Sequence, residues 1–310
     1  MRRVLLIILL CILIEGGCFW KIFDFKFERN PDLEFLAGDT LSHSVHLTNP
    51  VVSPDGKTVY YLCAPGDSVS LGAFKGYTFG AIYAINVENK NKKLILKGKY
   101  RFLTISPDGK KLAVQSMRGS YLQFSCESLI LVINLKNLNV DTYPLPVRGN
   151  RIIDLKFSPI DTNYIYYLSC KNIYRLNLLD GSIELILSDV KGGFDIFKDG
   201  EIYTNDPYFS WIEINPINED YLIGHMFPVF DTAIVMRKIS DNKIIRFEHS
   251  AFCPYFRPFF GNGWLGQPYW FPDGNTVVFC YSLPSDPGGE PAELWILRNV
   301  FKHIKGGRQH

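Results

Sequence analysis

Few side chains in this sequence stand where catalytic chemistry would want them. His225 closes the run Leu222-Ile223-Gly224-His225, so a β-strand there would carry an imidazole to its end. An imidazole in that place could act as a base or a metal ligand, and Asp231, Arg237 and Arg257 are the groups that could join it. A catalytic centre needs two or three titratable groups converging, and these four are the possible members. No paired-carboxylate, serine–histidine or phosphate-cradle signature accompanies them. Gly192-Gly193 and Gly288-Gly289 are loop glycines without a following helix. His43 and His46 lie three positions apart, which on a strand turns them to opposite faces. Lys90-Asn91-Lys92-Lys93 reads as a solvated turn. There is no Cys-x-x-Cys pair of the zinc kind, and with one imidazole lacking a partner no metal and no other cofactor is expected.

The elements that must position these groups come from an internal repeat. Ser53-Pro54-Asp55-Gly56-Lys57, Ser106-Pro107-Asp108-Gly109-Lys110 and Phe271-Pro272-Asp273-Gly274-Asn275 each precede a β-branched or aromatic run, and Ser158-Pro159 and Asn215-Pro216 are weaker copies. The residues before the prolines are spaced by 53, 52, 57 and 56 positions. Proline presets φ for the first corner of a tight turn, Asp bonds the backbone ahead of it, and glycine supplies the positive φ that closes a hairpin. The motif is therefore a joint between strands. After each joint comes a second strand, then a third such as Ala81–Asn86, Asn172–Asn177 or Glu293–Leu297, then a short fourth such as Lys93–Leu96 or Glu184–Leu187. Four strands per repeat of about 50 residues predict an all-β fold, a β-propeller of four-stranded antiparallel blades.

The Ser-Pro-Asp-Gly-Lys joint followed by an aromatic strand and an Ile-Tyr-x-[Ile/Leu]-Asn strand resembles the TolB-like, WD-repeat-like propeller repeat of bacterial envelope proteins. The resemblance covers residues 43 to 304, within a propeller domain taken as 43–310, and is informative about architecture more than function. Such propellers usually have six blades, whereas five clear units are counted here, so the blade number lies between five and six. Residues 18–42 are a linker or a ring-closing strand, and the segment 188–210 is either a long loop or a degenerate half-blade. Ile212-Glu213-Ile214-Asn215-Pro216 before the His225 strand is similar to the oligogalacturonate lyases, manganese-dependent propeller enzymes with a histidine ligand at the end of this strand. That resemblance would make Gln267 a stand-in for a second ligand, but Tyr269-Trp270 occupy the place of the further histidines it requires.

In an antiparallel blade the connection from second to third strand and the one from fourth strand to the next blade emerge on one face. The long segments 64–80, 188–210, 226–231, 252–268 and 284–292 all belong to that class. They are rich in aromatic residues and glycine, and binding resides in such loops when a rigid scaffold presents them. Ligand-binding candidates are His225, Arg257, Trp264, Gln267, Phe259, Tyr77 and Asp231, within a wider aromatic set that includes Phe209 and Trp211. Aromatic groups on a rim suit sugar stacking or protein contact.

The address is read from the first residues. Arg2 and Arg3 precede an apolar run from Val4 to Ile14, followed by Glu15-Gly16-Gly17-Cys18. The run is too short to span a bilayer and has the form of a secretory signal over residues 1–17. Gly-Gly-Cys resembles the lipoprotein cleavage box, which would make Cys18 the lipidated first residue of an exported chain, held to the membrane only by that anchor. Cys63, Cys170 and Cys280 end aromatic runs and are expected as buried thiols. A net charge of +2 spread along 310 residues argues against nucleic acid as a partner. The expected function is non-catalytic binding or scaffolding of an envelope protein or glycan, and the alternative is a polysaccharide lyase or hydrolase.

Overall fold

A computed structural model describes residues 30–38, 45–65, 79–118, 127–145, 152–204, 209–226, 233–247, 251–252, 264–282 and 293–304. Two compact units divide the chain, Met1–Pro31 and Asp32–His310; only Asn30 and Pro31 of the first are described. The described residues of the second are all strand, turn and connection, with a 3-10 turn at Val300–His303 and no α-helix.

All strand pairs are antiparallel. One continuous sheet runs β2 (Val45–Val52), β3 (Thr58–Pro65), β4 (Phe79–Asn86), β5 (Lys92–Ile105), β6 (Lys111–Arg118), β7 (Glu127–Asn134) and β8 (Val140–Pro144). It is continuous because β5 is long enough to serve twice: its first half pairs with β4 and its second half, from Tyr100, with β6. The next sheet holds β9 (Ile152–Phe157), β10 (Tyr164–Ser169), β11 (Asn172–Asn177) and β12 (Ile183–Leu187). A two-stranded hairpin follows, β13 (Asp195–Ile196) with β14 (Ile202–Tyr203). Then come β15 (Phe209–Ile214), β16 (Tyr221–Met226), β17 (Ala233–Lys238) and β18 (Lys243–Ile245). The last sheet joins β19 (Trp264–Trp270), β20 (Val277–Ser282) and β21 (Glu293–Leu297) to β1 (Leu33–Gly38), so a strand from the start of the chain completes the sheet made at its end.

The strands are apolar on both faces because both faces are covered. Val59 and Ile85 pack with Val278 and Ile296 on one side of the first sheet, while Leu62 and Ile82 pack with Leu103 and Leu112 on the other. Each such side chain is excluded from water and contributes ~1.5–3 kcal/mol. The first strands of successive sheets pack on one another: β2 on β5, β5 on β9, β13 on β15, β15 on β19, and β19 back on β2.

The joints take the conformations their residue types dictate. Gly56, Gly109 and Gly274 have φ of 72°, 69° and 63°, values that cost a side chain but not glycine. Asp55 Oδ1 accepts from the Ser53 hydroxyl at 2.6 Å and the Lys57 amide at 3.0 Å, and Asp108 repeats this with Ser106 and Lys110. The joints also interlock. A methyl group on Gly109 would sit 3.1 Å from the Pro54 ring, one on Gly274 2.6 Å from Asn215 Oδ1, and one on Gly56 3.7 Å from Pro272. The Lys198 amide, in the turn between β13 and β14, likewise reaches Glu219 in the joint between β15 and β16 at 2.7 Å.

The segment 188–210 is not a rim loop. It contains the β13–β14 hairpin, whose Phe194 and Ile196 are buried against Leu168 and Ile173. Phe209 and Trp211, expected on the rim, are core residues of β15. Cys280 is buried and Cys63 half-buried, but Cys170 is exposed, because the strand before it ends one residue earlier and Cys170-Lys171 form the turn into β11.

Candidate functional site: a buried charge cluster on the inner strands

Four ionisable side chains meet where β9, β13 and β15 approach. Asp154 and Lys156 alternate along β9 and so share a face, the one turned toward the hairpin. The Lys156 ammonium donates to Glu213 of β15 and, at 3.1 Å, to the Ile212 carbonyl, and lies 3.8 Å from Asp195 Oδ1. It also stands over the Trp211 ring, 5.0 Å from its centroid. Asp195 is fixed by the Ile214 amide at 2.6 Å, and Asp154 Oδ1 by the Leu155 amide at 2.8 Å. From β19, the Trp270 indole donates to the Glu213 carbonyl at 3.1 Å. Trp211 in turn stacks on Phe102 of β5 at 6.4 Å, and the Arg101 guanidinium lies over Phe102.

Three carboxyls and one ammonium without water cannot all be charged at low cost. Burial pushes Asp154 up to about 7, although Lys156 opposes it. Burial likewise pushes Glu213 up to about 8, and raises Asp195. For Lys156 burial acts downward, but Asp195, Glu213 and Asp154 together outweigh it and hold the ammonium protonated well above its ordinary range. Lys156 is therefore a fixed positive charge and not a nucleophile, while the carboxyls can store protons near neutral pH. Among the described residues no group of three or more His, Cys, Asp or Glu side chains is placed to hold a metal ion.

Tyr77, Asp231, Arg257, Phe259 and Cys18 lie outside the described residues, as do the side chains of His225, Trp264 and Gln267. The backbone places His225 next to last on β16, opposite Trp211 and Ile234, and Trp264 first on β19, opposite Ser282. β19 packs against both β15 and β16, so these positions occupy adjoining sheets. On the neighbouring strand, Arg237 stands three positions from the residue opposite His225. It pairs with Leu222, about 10 Å along the strand, stacks on Phe209 at 5.2 Å and donates to Asn242 at 2.6 Å in the tight turn at the far end.

Sequence reasoning missed the charge cluster. The available signal was the appearance of Asp154, Lys156 and Glu213 inside strands that, Ser210 apart, are otherwise composed of Ile, Leu, Phe and Trp, since charges seldom enter such runs unpaired.

No protein-family model matches the sequence, and no curated protein matches it. Solved structures do. The calcium-binding protein regucalcin from Agrobacterium tumefaciens aligns over 88% of this chain and 96% of its own, with a TM-score of 0.53 and 12% identity. TolB from Acinetobacter baumannii aligns over 81% of this chain with a TM-score of 0.40 and 16% identity, and the chain spans 54% of TolB's length. The β-propeller domain of the Trilobed protease from Pyrococcus furiosus aligns over 77% of this chain and 78% of its own, at 0.42 and 15%. At these identities the likeness is one of fold alone. The chain is all-β, made of antiparallel sheets, and the solved structures it is similar to include β-propeller proteins.

Proposed function

We propose that this chain is an exported, lipid-anchored, TolB-like propeller that binds a protein or glycan of the cell envelope on the face where its long connections gather. Six repeats are supported by the strand order. The seven-stranded sheet holds two repeats sharing β5, the β13–β14 hairpin is a fourth repeat reduced to two strands, and β1 supplies the outer strand of the sixth.

The observation that carries the binding reading is the asymmetry of connection length. The turns from first to second and from third to fourth strand span four to six residues. At the opposite strand ends, 66–78, 119–126, 227–232, 246–263 and 283–292 are long, the two-residue turn Cys170-Lys171 between β10 and β11 being the exception, and Tyr77, Asp231, Arg257 and Phe259 fall within the long ones. A rigid scaffold with its long segments on one side is built to present them.

The test pairs location with binding. Fractionation of cells carrying the wild type or Cys18→Ser should show the wild type in the membrane fraction and the variant released. Calorimetric titration against purified envelope proteins and oligosaccharides should give a complex lost on Phe259→Ala or Arg257→Ala, with unchanged melting temperature. A complex indifferent to both substitutions would show that the rim is not the binding face.

A further inference from the structure

Counting back four residues from the residue before each joint proline gives Asn49, Phe102, Asp154, Trp211 and Gln267, one on the first strand of each four-stranded repeat. Each lies in or beside a register shift of its strand: Thr48/Val51 in β2, Arg101/Leu103 in β5, opposite Leu168/Ser169 for β9, Phe209/Trp211 in β15 and Gly266/Tyr269 in β19. A bulge recurring at one place in every repeat re-aims the side chain found there. Asn49 and Phe102 both have φ of 48°, a left-handed conformation that an aromatic residue adopts only when its surroundings impose it. Phe102 and Trp211 belong to well-separated repeats yet stack, so these two positions meet where the first strands approach.

Two polar atoms of this set are buried and short of hydrogen bonds among the described residues: Trp211 Nε1 has no partner, and Asp154 Oδ2 has none of good geometry, although the Phe194 amide adjoins the carboxyl. Asp154 is fully buried and Trp211 is 6% exposed. Such atoms are costly and mark places where a further group is expected. One is an acceptor and the other a donor, and a hydroxyl, which donates and accepts, complements both.

We infer that the inner-strand ring around Asp154 and Trp211 is a subsite for one neutral sugar unit, closed in the unliganded chain by Phe102. This deepens the glycan side of the binding function proposed above and rests on it. Phe102 is half-buried where Trp211 beneath it is not, so it is the ring a ligand meets first, and swinging it aside exposes an indole face. A uronic acid would bring a further carboxylate into a buried cluster that already holds three carboxyls for one ammonium, a costly burial that separates this ligand from the acidic substrate of a pectate-type lyase.

The test is titration of the full chain with cello-, chito- and malto-oligosaccharides and with a uronic-acid oligomer, followed by tryptophan fluorescence and calorimetry. A neutral oligomer should bind and the uronic-acid oligomer should not. Trp211→Phe, which keeps the stack and removes the N–H, and Asp154→Asn should each weaken binding about tenfold, whereas Phe102→Ala should tighten it. Should either variant fail to fold, the Trp211 indole N–H resonance of the wild type serves instead, and it must shift when sugar is added. Absence of neutral-sugar binding overturns the inference, as does an affinity unchanged within about twofold in both variants or an unmoved indole resonance. Binding that is lost in Phe259→Ala but insensitive to Trp211→Phe overturns the inner subsite and leaves the rim function standing. A protein complex formed with no sugar binding does the same.

Discussion

Replacing Lys156 by Met keeps the aliphatic stem and removes the one positive charge among three buried carboxyls. The ammonium bonds Glu213 and the Ile212 carbonyl and neighbours Asp195, so its loss leaves Glu213 and Asp195 without a counter-charge. Breaking a buried pair from one side costs about 3–5 kcal/mol, and that loss is expected at pH 8. It should be less than half as large at pH 5, because these carboxyls bind their protons more tightly in the folded chain than in the unfolded one. Stability from such groups is fully present below about pH 4 and is lost as pH rises toward about 7 for Asp154 and about 8 for Glu213. For Asp154 alone the interval corresponds to about 4 kcal/mol at 1.4 kcal/mol per unit. Urea unfolding at the two pH values, read by far-ultraviolet circular dichroism, measures both effects. Adding Glu213→Gln to Lys156→Met should restore part of the loss, since the amide needs no counter-ion. An equal loss at pH 5 and pH 8, or one below about 1 kcal/mol at pH 8, would mean that the cluster is solvated and the argument is wrong.

Three further outcomes are expected. Gly274→Ala should destabilise by about 2–3 kcal/mol, because a positive φ coincides with a methyl 2.6 Å from Asn215 Oδ1, whereas Gly56→Ala, with its nearest neighbour at 3.7 Å, should cost about 1 kcal/mol; equal melting shifts would deny the interlocking of joints. Asp32 accepts from Asn299, Lys302 and His303, and the Asn299 bond foremost holds its carboxyl below the usual range despite burial. Its contribution is therefore present above about pH 4 and fades as pH falls further, and Asp32→Ala should speed amide exchange in β1 and β21 more than in β10; uniform exchange would count against a local clasp. Cys170 should react with a thiol reagent in the native state, while Cys280, buried and with its thiol pushed up by that burial, should react only on unfolding, a contrast that mass spectrometry of the labelled chain would reveal.

What the sequence discloses here depends on how local the causal residues are. The joints were legible because proline, aspartate and glycine determine φ and hydrogen bonding within five residues, and Asp55 and Asp108 make the bonds their types require. Strand order followed from the spacing of those joints. Phe209 and Trp211 were misplaced because a stretch rich in Gly, Asp and Lys before them reads as loop, while two residue pairs, Asp195 with Tyr203 and Ile196 with Ile202, suffice to make it a hairpin. Cys170 was misplaced by one residue, which on a strand end is the difference between core and turn. The charge cluster was illegible for another reason: Lys156 reaches partners 39 and 57 positions away, and no local pattern encodes that meeting.

The two-stranded hairpin and the charge cluster are neighbours in the fold. The β13–β14 hairpin offers two residues per strand where the strands of the neighbouring sheets offer three to six, so it brings little apolar surface between the sheet of β9–β12 and that of β15–β18. Phe194 and Ile196 cover one flank, and Phe197 and Tyr203 pack on the other. Where these strands approach, the long Lys156 side chain sets its ammonium over the Trp211 ring and ties β9 to β13 and β15. A lysine spans this distance where leucine does not, and its charge then requires acceptors, which Asp195, Glu213 and the Ile212 carbonyl supply. The cluster thus lies beside the short hairpin, and it places titratable carboxyls and the Trp211 indole among strands that are otherwise largely apolar.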